Sequence, residues 1–299
     1  MLSLKAQKLI DNYLSLPFPG VEGARCPYFN NAKLHARGQL RVLIGKGTPQ
    51  EIVEEAKIIS IQYRAGLFDH DGHCCLHGEH GEKPSIASPE SGAAVTEAGA
   101  DELRKFLIDH NLGVDCSGFA THILRAHFLE TKGVDITKKF IKNISAPWWR
   151  KIIMRLRPME SLGVRSGYAN DKNTEKLKND YAKLQPGDVV VMLETGPAFV
   201  PTGLRRGEAR KRNHILIITD CDGQKIKYVH ARAWSSEGQY GHGVNSGEIK
   251  ITNPGQGLLE QEWTERSPSQ NDLFHQGQAN ETYLEAKKAK VLEIRMIKF

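Results

Sequence analysis

Three short apolar runs in the second half of the chain constrain the fold most. A Pro-Gly turn leads into residues 189–193, a continuous apolar run typical of a buried strand. Residues 214–219 form the second run, and the pair Asp222-Gly223 predicts a tight hairpin turn into the third, residues 225–231. Strands joined by so short a turn pair antiparallel, so this half predicts an antiparallel sheet. Weaker patterns predict two further strands, at 248–252 and 290–299.

Helical patterns fill much of the first half. Apolar side chains at helical spacing predict three helices, at residues 3–14, 48–64 and 102–110. Thr48 and Glu51 fit a capping box with Pro49 in the first turn, which makes the second helix the best defined. A short apolar run at 40–44 predicts a strand instead. Helices ahead of an antiparallel sheet are typical of the α+β class.

A cysteine stands at the start of another helical pattern. Cys116 follows Asp115 and opens an apolar helical run that extends to Phe128. Unpaired backbone N–H groups and the positive end of the helix dipole favour a thiolate at such a position. His214 and His230 lie on predicted strands, and either could supply a base for the thiol. The sequence therefore predicts a reactive Cys–His pair brought together by the fold.

The composition limits the class of protein. The chain has 299 residues with 39% apolar content, enough for one large domain or two small ones. Its net charge is +6, a modest basic bias that allows an anionic partner but is no nucleic-acid signature. Five cysteines in no framework spacing indicate reduced thiols.

The first residues argue against secretion through a signal peptide. Lys5, Lys8 and Asp11 interrupt any apolar segment of the secretory type. No run approaches the roughly 20 apolar residues of a membrane span. We therefore expect a cytoplasmic protein, with export by a leaderless route left open.

Residues 69–80 are unusually rich in metal-binding side chains. They hold four of the twelve histidines and two of the five cysteines, and imidazole and thiolate are the usual zinc ligands. Their spacing fits no structural zinc pattern, and the neighbouring glycines indicate an exposed loop. We therefore expect a polar loop without metal, with metal binding as the alternative.

Residues 132–160 combine positive charge with large apolar side chains. They contain eight Lys and Arg against two acids, with Trp148 and Trp149 in the same stretch. One interpretation is a basic amphipathic surface, through residues 138–157, for a membrane or an anionic polymer. The other is a helix whose Trp and Ile side chains pack on the core while its charges face water, and this is the more usual arrangement.

Several motifs together resemble a known family. They are residues 115–119, 184–190, 214–217 and 228–231. Their order and spacing are similar to those of the NlpC-type cell-wall cysteine peptidase family of the papain-like superfamily. The resemblance implies N-terminal helices packed on a central antiparallel sheet. It implies a domain at 46–299, with insertions at about 66–112 and 131–183, after an N-terminal extension at 1–45.

The resemblance also implies roles for particular residues. Cys116 would be the nucleophile, His214 the general base and His230 the group that orients His214, with His242 or Asn245 as alternatives to His230. Asp115, Ser117 and Tyr63 are the candidates for substrate binding. The family usually has a tyrosine and two glycines shortly before the cysteine, whereas here a long insertion intervenes, so the position of Tyr63 departs from the family pattern.

The implied activity is hydrolysis of an amide bond without a cofactor. The expected substrate is a peptidoglycan-derived peptide cleaved between D-γ-glutamate and a diamino acid. The alternative is a thiol acyltransferase or deamidase that acts on a lipid or a protein. A binding module that has kept the fold without activity is the third interpretation.

Overall fold

The protein has an α+β fold in which helices pack on an antiparallel sheet. The computed structural model describes residues 1–29, 40–63, 65, 67–68, 97–141, 147–197, 211–233, 243–266, 274–276 and 280–299. The helices are α1 (Leu4–Leu14), α2 (Leu40–Leu43), α3 (Pro49–Gln62), α4 (Glu97–Asp109), α5 (Cys116–Lys132), α6 (Ile136–Lys139), α7 (Trp148–Leu156) and α8 (Glu281–Lys288). None of these helices has both the length and the apolar character that crossing a bilayer requires.

In the described part of the chain, eight strands form one sheet. They are β1 (Thr174–Leu177), β2 (Val189–Pro197), β3 (Lys211–Cys221), β4 (Lys225–Arg232), β5 (Gly243–Lys250), β6 (Glu262–Arg266), β7 (Phe274–Gln276) and β8 (Val291–Ile297). Their order across the sheet is β1-β8-β2-β3-β4-β5-β6-β7, and each neighbouring pair is antiparallel. The last strand along the chain therefore lies inside the sheet, between β1 and β2.

The sheet separates two apolar cores. Because successive side chains of a strand point to opposite faces, β3 sends Ile215 and Ile217 into the first core and Leu216 and Ile218 into the second. The first core also contains apolar residues of α1, α3, α4 and α5. The second is built around Trp263 with residues of β2, β4 and β8. Helices thus cover one face, while β6 and α8 contribute to the other.

The helices and central strands predicted from the sequence are confirmed. Helices α1, α3 and α4 match the segments predicted at 3–14, 48–64 and 102–110, although α4 begins earlier, at Glu97, and the apolar runs after residue 188 form β2, β3 and β4. The capping box of α3 is present, since Thr48 and Glu51 exchange hydrogen bonds of 3.2 and 2.8 Å. The predicted closing strand is β8.

The strand predicted at 40–44 is wrong, because these residues form α2 and the turn that follows it. Lys46 donates its backbone N–H to the carbonyl oxygen of Arg41 at 2.7 Å, which closes the turn. An apolar run of five residues fits a helical turn as well as a strand, so periodicity cannot separate them. Residues 1–29 share the first core with α5, and the proposed domain boundary at residue 45 stays a prediction.

Candidate active site

The start of α5 is held by close backbone packing. Asp115 is the N-cap of the helix, and its side chain accepts the backbone N–H of Gly118. A Cβ atom on Gly118 would lie 2.2 Å from the carbonyl oxygen of Gly45, so only glycine lets the loop before α3 pass this close. The same Gly45 oxygen accepts the backbone N–H of Asp115 at 2.9 Å. These contacts fix the position of Cys116, the first residue of α5.

A buried lysine lies beneath this helix start. The amino group of Lys46 donates to Asp115 Oδ1 at 3.1 Å, to the hydroxyl oxygen of Ser117, and to the carbonyl oxygen of Leu162 at 3.0 Å. An ammonium group has three N–H donors, and all three are used. Asp115 and Ser117 therefore serve the helix start in this structure, and substrate binding by their side chains stays a prediction.

The Cys116 thiol is buried and uncharged at rest. Its Sγ atom lies 3.8 Å from the carbonyl oxygen of Asn213 on β3. Burial, together with the charge of Asp115, raises the pKa of the thiol to about 12, although Lys46 acts in the opposite direction. Burial of the charge therefore opposes the thiolate that the helix N-terminus favours.

The two predicted histidines belong to a buried hydrogen-bond chain. His214 Nε2 lies 2.7 Å from His230 Nδ1, and His230 Nε2 lies 2.8 Å from Glu265 Oε1. Glu265 on β6 also accepts from the Tyr228 hydroxyl at 2.9 Å and from Asn245 Nδ2 at 3.3 Å. The structure therefore brings His214 and His230 together and adds Glu265, which the sequence did not indicate.

The carboxylate at the end of the chain sets the protonation of both rings. Burial alone would raise the pKa of Glu265, but His230 and Arg232 bring it below its ordinary value. An ionised carboxylate only accepts, so a neutral His230 donates from Nε2 and accepts at Nδ1. His214 must then donate from Nε2, which leaves Nδ1 as its basic nitrogen. Asn245, the alternative third residue, bonds Glu265 rather than His214.

The nucleophile and base candidates approach the same strand from different sides. Cys116 belongs to the first core, whereas alternation along β3 puts His214 on the side of Leu216 and Ile218 in the second. Within the described part of the chain, no hydrogen bond joins Sγ of Cys116 to the His214 ring; the thiol contacts the preceding residue, Asn213. Burial lowers the pKa of His214 to about 3, so both partners are neutral at rest.

Charged groups on α8 and β3 lie beside this region. Glu285 is buried, accepts from the Thr195 hydroxyl at 2.9 Å and forms an ion pair with Arg212 Nε at 3.1 Å. Burial would raise the pKa of Glu285, but His214, Arg232 and Arg212 lower it to about 2. This carboxylate is therefore charged and favours a positive charge on His214.

A tyrosine other than the predicted one lies near the cysteine. Tyr28 is half-buried and forms a parallel bridge with Val114, two residues before Cys116. Burial, and next the negative charge that a deprotonated Cys116 would carry, raise the pKa of Tyr28 above its usual range. Tyr63 instead lies at the exposed end of α3, with its ring 4.8 Å from that of His110. Its role in substrate binding stays a prediction.

Metal binding by the predicted loop has no structural test. Residues 69–80 lie outside the described residues, as does His242, the other alternative to His230. Among the described residues, no group of three or more His, Cys, Asp and Glu side chains is arranged to hold a metal ion. Cys26, Cys116 and Cys221 carry free thiols.

Comparisons with known proteins give this chain no relatives. No family model, no curated protein and no solved structure matches it. Its function must therefore be argued from its own residues.

Proposed function

We propose that this protein is a cysteine hydrolase of papain-like fold, related to the NlpC-type peptidases, that cleaves an amide bond in peptidoglycan-derived peptides. The bond we expect is the one between D-γ-glutamate and a diamino acid. The observation that carries the proposal is the chain His214–His230–Glu265, which ends one residue along β3 from the Cys116 contact. Cysteine, histidine and a buried orienting carboxylate are the groups that thiol acyl transfer requires.

The reaction begins with proton transfer between two neutral groups. Nδ1 of His214 takes the thiol proton of Cys116, which requires the thiol and the ring to come to the same side of β3, since they lie on different sides of that strand in this structure. The resulting thiolate attacks the amide carbonyl carbon, and the carbonyl π electrons move to oxygen. The donor that we propose for this oxyanion is the backbone N–H of Cys116, in the first turn of α5.

The tetrahedral intermediate then collapses to products. The C–N bond breaks, the leaving amine takes the proton from His214, and a thioester with Cys116 remains. Water attacks the thioester while His214 accepts its proton, and the proton returns to sulfur as the acid product leaves. No oxidant, reductant or cofactor takes part in these steps.

Buried carboxylates support the charged form of His214. His230 and Glu265 hold the His214 tautomer that leaves Nδ1 free for the proton, and Glu285 favours the imidazolium. The pKa of about 12 for Cys116 and about 3 for His214 oppose an ion pair at rest. We therefore expect the thiolate to form together with attack on bound substrate rather than before it.

Muropeptides incubated with the protein and analysed by mass spectrometry test the proposal. Wild type is expected to release the γ-glutamyl cleavage product, and Cys116→Ala to release none. Cys221→Ala is the matched control, since that free thiol lies at the far end of β3 and should leave cleavage unchanged. Equal cleavage by wild type and Cys116→Ala, or none by wild type, would reject this substrate and mechanism.

A lipid acyl group is the second candidate substrate for the same residues. The observation that favours it is the row of exposed apolar side chains on α7, which suits a lipid surface. In this case Cys116 would take an acyl group from a phospholipid ester and leave a lysophospholipid. Lysophospholipid formed from vesicles by wild type but not by Cys116→Ala would support this candidate over the peptidase.

A further inference from the structure

Helix α7 exposes apolar side chains that a core would normally cover. Five large apolar residues of α7 are between 46% and 76% exposed to solvent. They are Trp148, Trp149, Ile152, Ile153 and Leu156. The expectation that these Trp and Ile side chains pack on the core is therefore wrong. A row of exposed apolar side chains on one helix of a folded protein indicates an interaction surface.

The exposed side chains form one face of the helix. At 3.6 residues per turn, all five fall within an arc of about 140°. Lys151 and Arg155 flank this arc, about 60° and 20° beyond Trp148, and both are exposed. Arg157 follows directly after the helix, and residues 147–157 contain no acidic side chain. The next acid, Glu160, is bonded to Arg41 at 3.1 Å.

These features favour a lipid surface as the partner. A wide apolar face with tryptophan at one end and lysine and arginine on the polar side is typical of helices that lie in the membrane interface. Nine residues of helix are far too few to cross a bilayer, so α7 can only lie along it. Positive charge without any acid in the helix complements anionic headgroups.

We propose that α7 binds the surface of an anionic lipid bilayer. The five apolar side chains enter the boundary between headgroups and acyl chains, while Lys151 and Arg155 remain at the headgroup level. This inference does not depend on the proposed hydrolase activity. It would hold for a protein that cleaves peptides at a membrane and for one that acts on the lipid itself.

Vesicle flotation of the full chain tests the apolar part of the surface. Wild type is expected to float with vesicles of phosphatidylcholine mixed with phosphatidylglycerol, and to float less with phosphatidylcholine alone. The double variant Trp148→Ser/Leu156→Ser should lose at least about tenfold in partitioning. The matched control, Leu4→Ser/Ile61→Ser, removes two equally exposed apolar side chains elsewhere and should float like wild type.

A second pair of variants tests the charge. Lys151→Gln and Arg155→Gln should each reduce partitioning into the anionic vesicles by about fivefold at low salt, whereas the exposed Lys172→Gln should not. Thermal unfolding of all variants should match wild type, because the changed side chains are exposed. Equal flotation by wild type and the α7 double variant would overturn the proposal. So would self-association of wild type without vesicles that the double variant abolishes, since the face would then be a protein interface.

Discussion

Two buried polar clusters lie on opposite sides of the sheet and differ in what they leave available. In the Lys46 cluster, with Asp115 and Ser117, each N–H donor of the ammonium group has an acceptor. In the Glu265 cluster, the hydrogen bonds through His230 end at His214 and leave its Nδ1 as an acceptor. A saturated cluster can only hold structure, whereas one with a remaining basic nitrogen can take a proton. We therefore expect changes in the Lys46 cluster to affect mainly stability, and changes in the Glu265 cluster to affect mainly activity.

The largest expected effect is a loss of activity caused by a change in the Glu265 cluster. His214→Gln keeps a donor toward His230 but removes the basic nitrogen, so kcat for muropeptide cleavage should fall by about 10²–10⁴-fold. The free energy of unfolding should change much less than for a change at Lys46. A His214→Gln protein that retains wild-type kcat would show that the Glu265 cluster takes no part in the reaction.

The next effect is on stability. Lys46→Met keeps the length of the side chain but removes the charge that Asp115 faces, and breaking a buried pair in this way costs about 3–5 kcal/mol. Urea unfolding measures the change. Arg41→Met is the control, because that ion pair is half exposed and should matter by about 1 kcal/mol or less. Similar losses for both variants would contradict a special role for the Lys46 cluster.

Glu265→Gln tests whether Glu265 acts by orienting His230 or only by packing. The amide keeps the size of the side chain but no longer holds His230 in a single tautomer, so kcat should fall, and by less than in His214→Gln, which removes the base itself. Tyr228→Phe removes another hydrogen-bond donor to Glu265 but leaves the His230–Glu265 hydrogen bond in place. Its kcat should therefore change by less than that of Glu265→Gln. If Tyr228→Phe proves the more damaging change, Glu265 acts by packing rather than by orienting the histidines.

A pH dependence of stability, small over any one pH unit, is expected near the Lys46 cluster. His122 Nε2 donates to the Lys46 carbonyl oxygen at 2.8 Å, and burial lowers the pKa of His122 from 6.5 to about 4. Between these values only the unfolded chain binds the proton. Stability should therefore fall as the pH falls from 6.5 to 4, by up to about 1.4 kcal/mol per pH unit.

His122→Gln tests this dependence, since glutamine can still donate to the carbonyl group but cannot be protonated. Urea unfolding at a series of pH values should show a shallower slope for the variant. Some slope will remain, because the pKa of His214 is also lowered by burial. Identical slopes for wild type and variant would place the acid sensitivity elsewhere.

Local sequence signals predicted the elements that frame both clusters. Thr48 and Glu51 revealed the start of α3, and the apolar run that opens at Cys116 revealed that of α5, because caps and apolar spacing act within a few residues. The hairpin between β3 and β4 was equally visible at Gly223. Lys46 was not, since its partners lie 69 to 116 residues away along the chain and nothing local indicates them.

Two other features escaped prediction for different reasons. Glu265 lies in a polar stretch without clear periodicity, and only its pairing with β5 brings it beside His230. The α7 pattern was visible, but amphipathic spacing shows only that a helix has two faces. Which face meets water depends on how the rest of the chain covers it.

The position of β8 determines when the sheet can be completed during synthesis of the chain. β2 is complete at residue 197, yet its neighbour on one side is residues 291–297. While the ribosome adds the intervening segment, that edge of β2 has no partner of its own, and an open apolar strand is a site for pairing with other chains. The β1–β8 pairing must also wait. The sheet can therefore close only after residues 291–297 have been made.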